Sequence, residues 1–181
     1  MGKRVFGLVP MVMALGLGSA AGQSAADGSV QGNVYTNRYF HISLALPPNF
    51  HAVNLSALHA PGALASNEFL MLAARDGEGP SGIVVLAEKL KVAPSHVVDE
   101  QDFLRRTRKG WDAGQVADGQ EVQIQKGGLT FQELDFEIPK TEFDSVIVTR
   151  VGDYLIAFKC NAKTRDKLKV MVDAVVAMRH E

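Results

Sequence analysis

The sequence contains a single cysteine, Cys160, among its 181 residues. An intramolecular disulfide is therefore impossible, and no cysteine stands directly after the N-terminal apolar segment, where a lipid could be attached. Nineteen basic residues stand against 20 acidic ones, so no excess of charge favours nucleic acid or a disordered acidic tail. The fold must be stabilised by its hydrophobic core alone, which a chain of this length can build.

Motifs for catalysis and ligand binding are also lacking. The sequence has no His-Glu-x-x-His zinc motif, no P-loop and no Gly-x-Ser-x-Gly nucleophile turn. A glycine-rich fragment, GLGSAAG, lies inside the N-terminal apolar segment and not between a strand and a helix. The sequence therefore predicts no catalytic residue, no cofactor and no metal, and we expect a protein that is not an enzyme.

What is present at the N-terminus has the order of a secretory signal peptide. Basic MGKR is followed by apolar VFGLVPMVMALGLG and then by small residues, SAAGQSAA. The apolar run is shorter than the roughly 20 residues that a spanning helix needs. We predict a signal peptide at 1–22, a flexible linker at 23–32 and a single domain at 33–181. Such a protein is exported to the periplasm or the extracellular space, with no stable membrane span after cleavage.

The stretch YTNRYFHISLALPPNF, residues 35–50, predicts an early strand with one apolar face. The apolar face is formed by every second residue, Phe40, Ile42, Leu44 and Leu46. Two prolines then end the strand in a turn. The opposite parity carries polar groups and gives the candidate surface residues, to which the histidine after the turn is added: Tyr39, His41, Ser43 and His51.

Two later segments have helical patterns. Residues 95–113 begin with acidic side chains and end with basic ones, which complements the helix macrodipole. Residues 164–179 carry an apolar stripe at helical spacing, typical of an amphipathic helix that packs on a sheet. Apolar and alternating runs at 68–76, at 82–90 and across 121–162 predict strands. The expected class is α+β, with one mostly antiparallel sheet of six to eight strands covered by the two helices.

One predicted strand, LTFQELDFEIP, changes the parity of its apolar residues partway along. They are Leu129 and Phe131, followed by Leu134, Phe136 and Ile138. The change predicts a β-bulge near residues 132–133. The acidic pairs Glu133/Asp135 and Asp135/Glu137 share one face and could divide acid and base roles. Alternation with apolar residues favours a simpler reading, the solvated side of an outer strand.

Two further chemistries would depend on a few side chains each: a transition-metal site and a cysteine nucleophile. His41 and His51 could approach each other across the proline turn, but a transition metal would need another ligand, such as Glu68 or His59. The alternative is a polar strand face and a loop whose histidines stay in water. Cys160 alternates in step with apolar residues of its strand and so lies on the same face as they do, which predicts a buried thiol and not a nucleophile.

The stretch GNVYTNRYFHISLALPPNF resembles the opening of domains in the PsbP-like superfamily, which shares its fold with the Mog-type and DcrB-type proteins. The matching positions are Tyr35, Asn37, Phe40, Pro48 and Phe50. The final position is often Trp in such sequences and is Phe here. The C-terminal VGDYLIAFKCNAKTRDKLKVMVDAVVAM is similar to their last hairpin and closing helix, so the resemblance spans about residues 33–179.

The resemblance implies an α/β/α sandwich around the antiparallel sheet, with a C-terminal amphipathic helix. It also implies bacterial, exported, non-enzymatic members that bind or assist other proteins, and it transfers no site residue. The leading interpretation is an exported binding or accessory protein whose partner is an envelope protein or a small ligand. The alternatives are a metal-binding or hydrolytic protein using His41, His51 and nearby carboxylates, and a structural envelope protein.

Overall fold

The structure is a computed structural model that describes residues 24–25, 27–55, 67–93, 96–110, 119, 121–138 and 142–181. The predicted signal peptide lies outside these residues. The described chain forms, in order, β1 (Gly28–Gln31), β2 (Val34–Asn37), β3 (Ile42–Ala45), β4 (Phe50–Ala52), β5 (Glu68–Asp76), β6 (Gly82–Lys89), α1 (Glu100–Gly110), β7 (Glu121–Lys126), β8 (Leu129–Ile138), β9 (Glu142–Val151), β10 (Tyr154–Ala162), α2 (Arg165–Val176) and β11 (Arg179–His180).

The strands form two sheets, and every pairing between neighbouring strands is antiparallel. The larger sheet has seven strands in the order β4-β5-β6-β10-β9-β8-β7, which confirms the predicted antiparallel sheet of six to eight strands. The smaller sheet has four strands in the order β1-β2-β3-β11 and was not predicted. Its outermost strand β1 lies inside the segment predicted as a flexible linker, so that prediction is wrong for Gly28–Gln31, which are held by pairing with β2.

Both faces of the seven-stranded sheet are covered. On one face, Ile156, Phe158 and Cys160 of β10 join a core that includes α2 and the small sheet. On the other face, the intervening Leu155 and Ala157 join a smaller core with α1. The predicted α/β/α sandwich is therefore confirmed, with the small sheet sharing a layer with α2. Alternation along the strand produces this division, because successive side chains point to opposite faces.

The β-bulge predicted in β8 does not occur. Pairing runs without a break from Phe131 to Ile138 against β9, and β7 pairs with β8 equally regularly. The parity changes because Leu129 and Phe131 pack on the α2 side, whereas Leu134 and Phe136 pack on the α1 side further along. A register shift occurs instead in β5, between residues 70 and 72.

The first helix begins at Glu100, later than predicted, and the second is shorter than predicted. The second begins after Thr164, whose hydroxyl accepts a hydrogen bond from the amide of Lys167 at 3.3 Å, the usual N-cap arrangement. It ends at Val176, and the chain then extends to pair β11 with β3. This last pairing closes the small sheet over the apolar face of the helix.

Candidate binding surface

The outer face of the small sheet carries a row of polar side chains. The register places Ser29 opposite Thr36, Thr36 opposite Ser43, and Ser43 opposite Arg179. The other face of the same strands, represented by the fully buried Leu44, packs into the core. Three hydroxyl groups and a guanidinium thus lie side by side on four strands, on a face that the core does not use.

A cavity of about 460 Å³ lies beside the middle of this row, at Thr36 and Ser43. It is lined by Thr36 and Ser43 from the sheet and by Arg38, His41 and Glu181 from the turn and the chain terminus. The last three are exposed. The cavity therefore combines neutral hydrogen-bonding groups with charged groups that water can reach, an arrangement suited to binding and release.

His41 has an uncommon backbone conformation at the rim of this cavity. Its φ is 52°, in the left-handed region that residues other than glycine seldom adopt. The amide of Glu181 donates a hydrogen bond of 3.0 Å to the His41 carbonyl, which ties the turn to the end of the chain. Strain of this kind persists only where the surrounding structure holds it, and it concentrates at functional sites.

The structure brings two of the four candidate residues together. His41 and Ser43 line the cavity, but Tyr39 does not. Its ring packs edge-on against Phe40, at 4.9 Å between centroids, and against Tyr154, at 5.8 Å. The expected alternation fails there because β3 begins only at Ile42, so that Tyr39 belongs to a turn. The fourth candidate, His51, lies on β4 of the other sheet, opposite Arg75.

The aromatic cluster around Tyr39 affects one ionisation. The hydroxyl of Tyr39 lies 3.4 Å from that of Tyr154, and this hydrogen bond, together with burial, raises the pKa of Tyr154 to about 12. The Tyr154 hydroxyl thus stays neutral across the physiological range. The cluster acts as packing between the turn and the large sheet.

The metal alternative finds no support in the part of the chain that the structure describes. No three side chains of the His, Cys, Asp and Glu types come together there to hold a metal ion. His41 and His51 belong to segments of different sheets, and Glu68 lies on β5 opposite Glu88. His59, the other ligand considered, falls outside the described residues.

A second group of polar residues lies between β8 and α2. Glu133 and Asp135 border a cavity of about 290 Å³ together with Asp173, and we call this the acidic cleft. Its other walls are formed by apolar Ile124, Leu168, Val172 and Val176 and by the basic side chains of Arg165 and Lys169. The expectation that these carboxylates are solvated on an outer strand is wrong for Glu133, which is only 8% exposed. Glu133 shares the parity of Leu129 and Phe131, the one sequence signal of its burial.

The acidic cleft perturbs the ionisation of its main residue. Burial, reinforced by the neighbouring charge of Asp135, raises the pKa of Glu133 to about 7. The Ser145 hydroxyl donates a hydrogen bond of 3.1 Å to the Glu133 carboxylate and partly offsets this effect. One oxygen of Asp135, Oδ1, is buried without a hydrogen-bond partner among the described residues.

The cations nearest the acidic cleft are already engaged. Lys169 forms an ion pair of 2.7 Å with Asp173, and Arg165 pairs with Glu137. Within the described residues, no lysine or arginine forms an ion pair with Glu133 or Asp135. Glu133 and Asp135 are therefore the carboxyl groups of this cleft without an ion-pair partner among the described residues, although Arg165 and Lys169 line the same cavity.

Cys160 is fully buried, as predicted. Desolvation, with smaller effects from the Glu133 and Asp144 carboxylates, raises the pKa of its thiol far above the ordinary value. Such a thiol is a poor nucleophile, since the thiolate is the reactive form.

Among the described helices, none has the length and apolar character needed to cross a membrane.

Comparison with known proteins supports the fold. No protein-family model matches the chain, and no curated protein does. Among solved structures, the chain is similar to the solution structure of cyanobacterial PsbP (CyanoP) from Synechocystis sp. PCC 6803. The TM-score is 0.57 at 17% sequence identity, and the match covers 91% of this chain and 99% of the cyanobacterial one. The chain thus has a PsbP-like α+β fold.

Proposed function

We propose that the protein is an exported, non-enzymatic binding or accessory protein that holds a partner on the outer face of its small sheet. The observation that carries this proposal is the cavity in which His41 and Ser43 meet Arg38 beside the hydroxyl row. Fold likeness to cyanobacterial PsbP supports it, since the sequence resemblance to that superfamily implies members that bind or assist other proteins. The order of residues 1–22 supports export.

The chemistry of this face suits an acidic segment of a partner protein. Arg38 and Arg179 are both exposed, and neither forms an ion pair with another described residue. A guanidinium binds a carboxylate through paired hydrogen bonds, which gives orientation as well as affinity. The neighbouring hydroxyls of Thr36 and Ser43 can donate to the remaining carboxylate or backbone oxygens.

Site-specific photocrosslinking in the native host tests the proposal. A photoreactive residue at Ser43 should give a discrete crosslinked product, and Arg38→Glu should remove it. The control position is Val170, which is 46% exposed on α2. Equal products from both positions, or none from Ser43, would contradict a binding role for this face. N-terminal sequencing of the purified protein tests export: an intact Met1 in the cytoplasmic fraction would refute it.

A further inference from the structure

Strand β7 forms an edge of the seven-stranded sheet and is open to solvent. Five of its six residues are exposed, including Val122 at 46%. Within the described residues, β8 is the only strand that pairs with β7. An edge of this kind presents unpaired amides and carbonyls to another strand.

The hairpin geometry shows which amides are unpaired. Gly127 and Gly128, with φ of 61° and 80°, form a two-residue turn between Lys126 and Leu129. The residues flanking such a turn bond to each other, and the outward direction alternates along the strand. The backbone groups of Gln125, Gln123 and Glu121 therefore point away from β8.

The sequence of β7, EVQIQK, suits pairing with a copy of itself. Edge strands that avoid association carry proline or a charge in their middle, whereas β7 carries Val122, Gln123, Ile124 and Gln125 there. Antiparallel pairing about a two-fold axis at Ile124 sets Gln123 opposite Gln125 and Val122 opposite Lys126. No two like charges face each other in this register.

The same register brings a cation to the acidic cleft. In β8, Glu133 lies opposite Val122 on one sheet face. The second copy's Lys126 would then lie two strand spacings from Glu133, about 9.6 Å between Cα atoms, which the two side chains together can span. Within the described residues, Lys126 forms no ion pair. Each copy would thus offer a cation to the two carboxyl groups of the other copy's cleft, Glu133 and Asp135, that form no ion pair within their own chain's described residues.

We propose that the protein forms a symmetric dimer through antiparallel pairing of β7 with β7 of a second copy, in which Lys126 of each copy binds the Glu133–Asp135 carboxylates of the other. The surface shares no residue with the cavity of the small sheet. Pairing of two six-residue strands buries little area, so the dimer is expected to be weak and reversible. Its contacts between charges make it weaker at high salt.

Sedimentation equilibrium of protein purified after expression of the full chain tests the dimer. We expect a monomer–dimer equilibrium with Kd on the order of 10–100 μM, a range typical of small interfaces. Lys126→Glu should raise Kd at least tenfold, because it sets a carboxylate against the acidic cleft. Gln123→Pro should do the same by removing an outward amide without breaking a bond to β8.

The matched control is Lys109→Glu, which makes the same charge change on an exposed residue of α1. It should leave Kd within twofold of the wild-type value. A protein that stays monomeric up to about 1 mM would overturn the proposal, given that weak interfaces associate below that concentration. So would a dimer that tolerates Lys126→Glu. Circular dichroism of each variant separates lost association from lost folding.

Discussion

Replacing Glu133 by Gln tests whether the acidic cleft stores an electrostatic cost. The carboxylate is 8% exposed, accepts a hydrogen bond from Ser145 and faces the charge of Asp135. Glutamine has nearly the same shape, so packing against α2 is kept. Its amide oxygen can still accept from the Ser145 hydroxyl, and its NH2 group can donate to Asp135. The substitution therefore removes the charge and little else.

The sign and size of the effect follow from the ionisation of Glu133. Burial raises its pKa from the ordinary 4.5 to about 7 in the folded chain. Between these values the folded chain holds the proton and the unfolded chain releases it, so the free energy of unfolding falls as pH rises through this window. At about 1.4 kcal/mol per tenfold change the full effect is about 3 kcal/mol, and we expect about half because the cleft opens to solvent.

Urea denaturation of dilute protein at pH 5 and pH 8 measures this difference. Glu133→Gln should be more stable than the wild type by about 1.5 kcal/mol at pH 8, and the gain should shrink to a few tenths at pH 5. The control is Glu121→Gln, which removes an exposed carboxylate paired with Arg108 and should change stability by less than about 0.5 kcal/mol. A variant no more stable than the wild type at pH 8 would refute the reasoning.

Three further expectations concern the helices and the thiol. Asp102→Asn should lower the urea midpoint at pH 7. The hydrogen bond from Arg106, more than any other contact, lowers the pKa of the Asp102 carboxyl group to about 2. The carboxylate therefore stabilises the fold at any pH above the ordinary pKa of 3.8. This difference should vanish as pH falls to about 2; a difference that persists there would contradict the assignment. Thr164→Ala should cost about 1 kcal/mol in urea denaturation by removing the N-cap of α2, whereas Thr164→Ser should be nearly neutral. Cys160 should resist a chromogenic thiol reagent in the folded protein and react fully in denaturant; rapid reaction in buffer would show that the core around it opens.

Local periodicity predicted which side chains are buried but not which layer buries them. Phe40, Ile42, Leu44 and Leu46 are all buried, as the alternation indicated. The separate four-stranded sheet to which β3 belongs was not predicted: β3 pairs locally with β2, and its other neighbour is a two-residue strand more than 130 residues later in the chain. The prediction for Tyr39 failed for a related reason. The alternation of apolar and polar residues in the sequence continues through Tyr39, but the backbone there forms a turn, in which side chains do not alternate between two faces.

The parity change in β8 shows the same limit at the candidate sites. A change of apolar side partway along a strand arises when different elements cover its two faces at its two ends. A β-bulge produces the same change in the sequence, so the pattern alone does not distinguish the two. The position of α2 decides between them, and it is a long-range contact. The sequence therefore contains one indication that Glu133 is buried beneath that helix: it lies on the same side of the strand as Phe131, which belongs to the core.

The two surfaces proposed for binding lie at the margins of this fold. At the centre of the large sheet, Phe158 and Leu155 are fully buried on opposite faces, so a ligand there would have to displace the core. The outer face of the small sheet and the β7 edge lie away from this central core, and they share no residue. Arg38→Glu should therefore leave dimerisation unchanged, and Lys126→Glu should leave the crosslink from Ser43 intact. If either single substitution removed both, circular dichroism of that variant would decide between unfolding and a direct coupling of the two surfaces, whose margins approach each other at Gly127 and Met178.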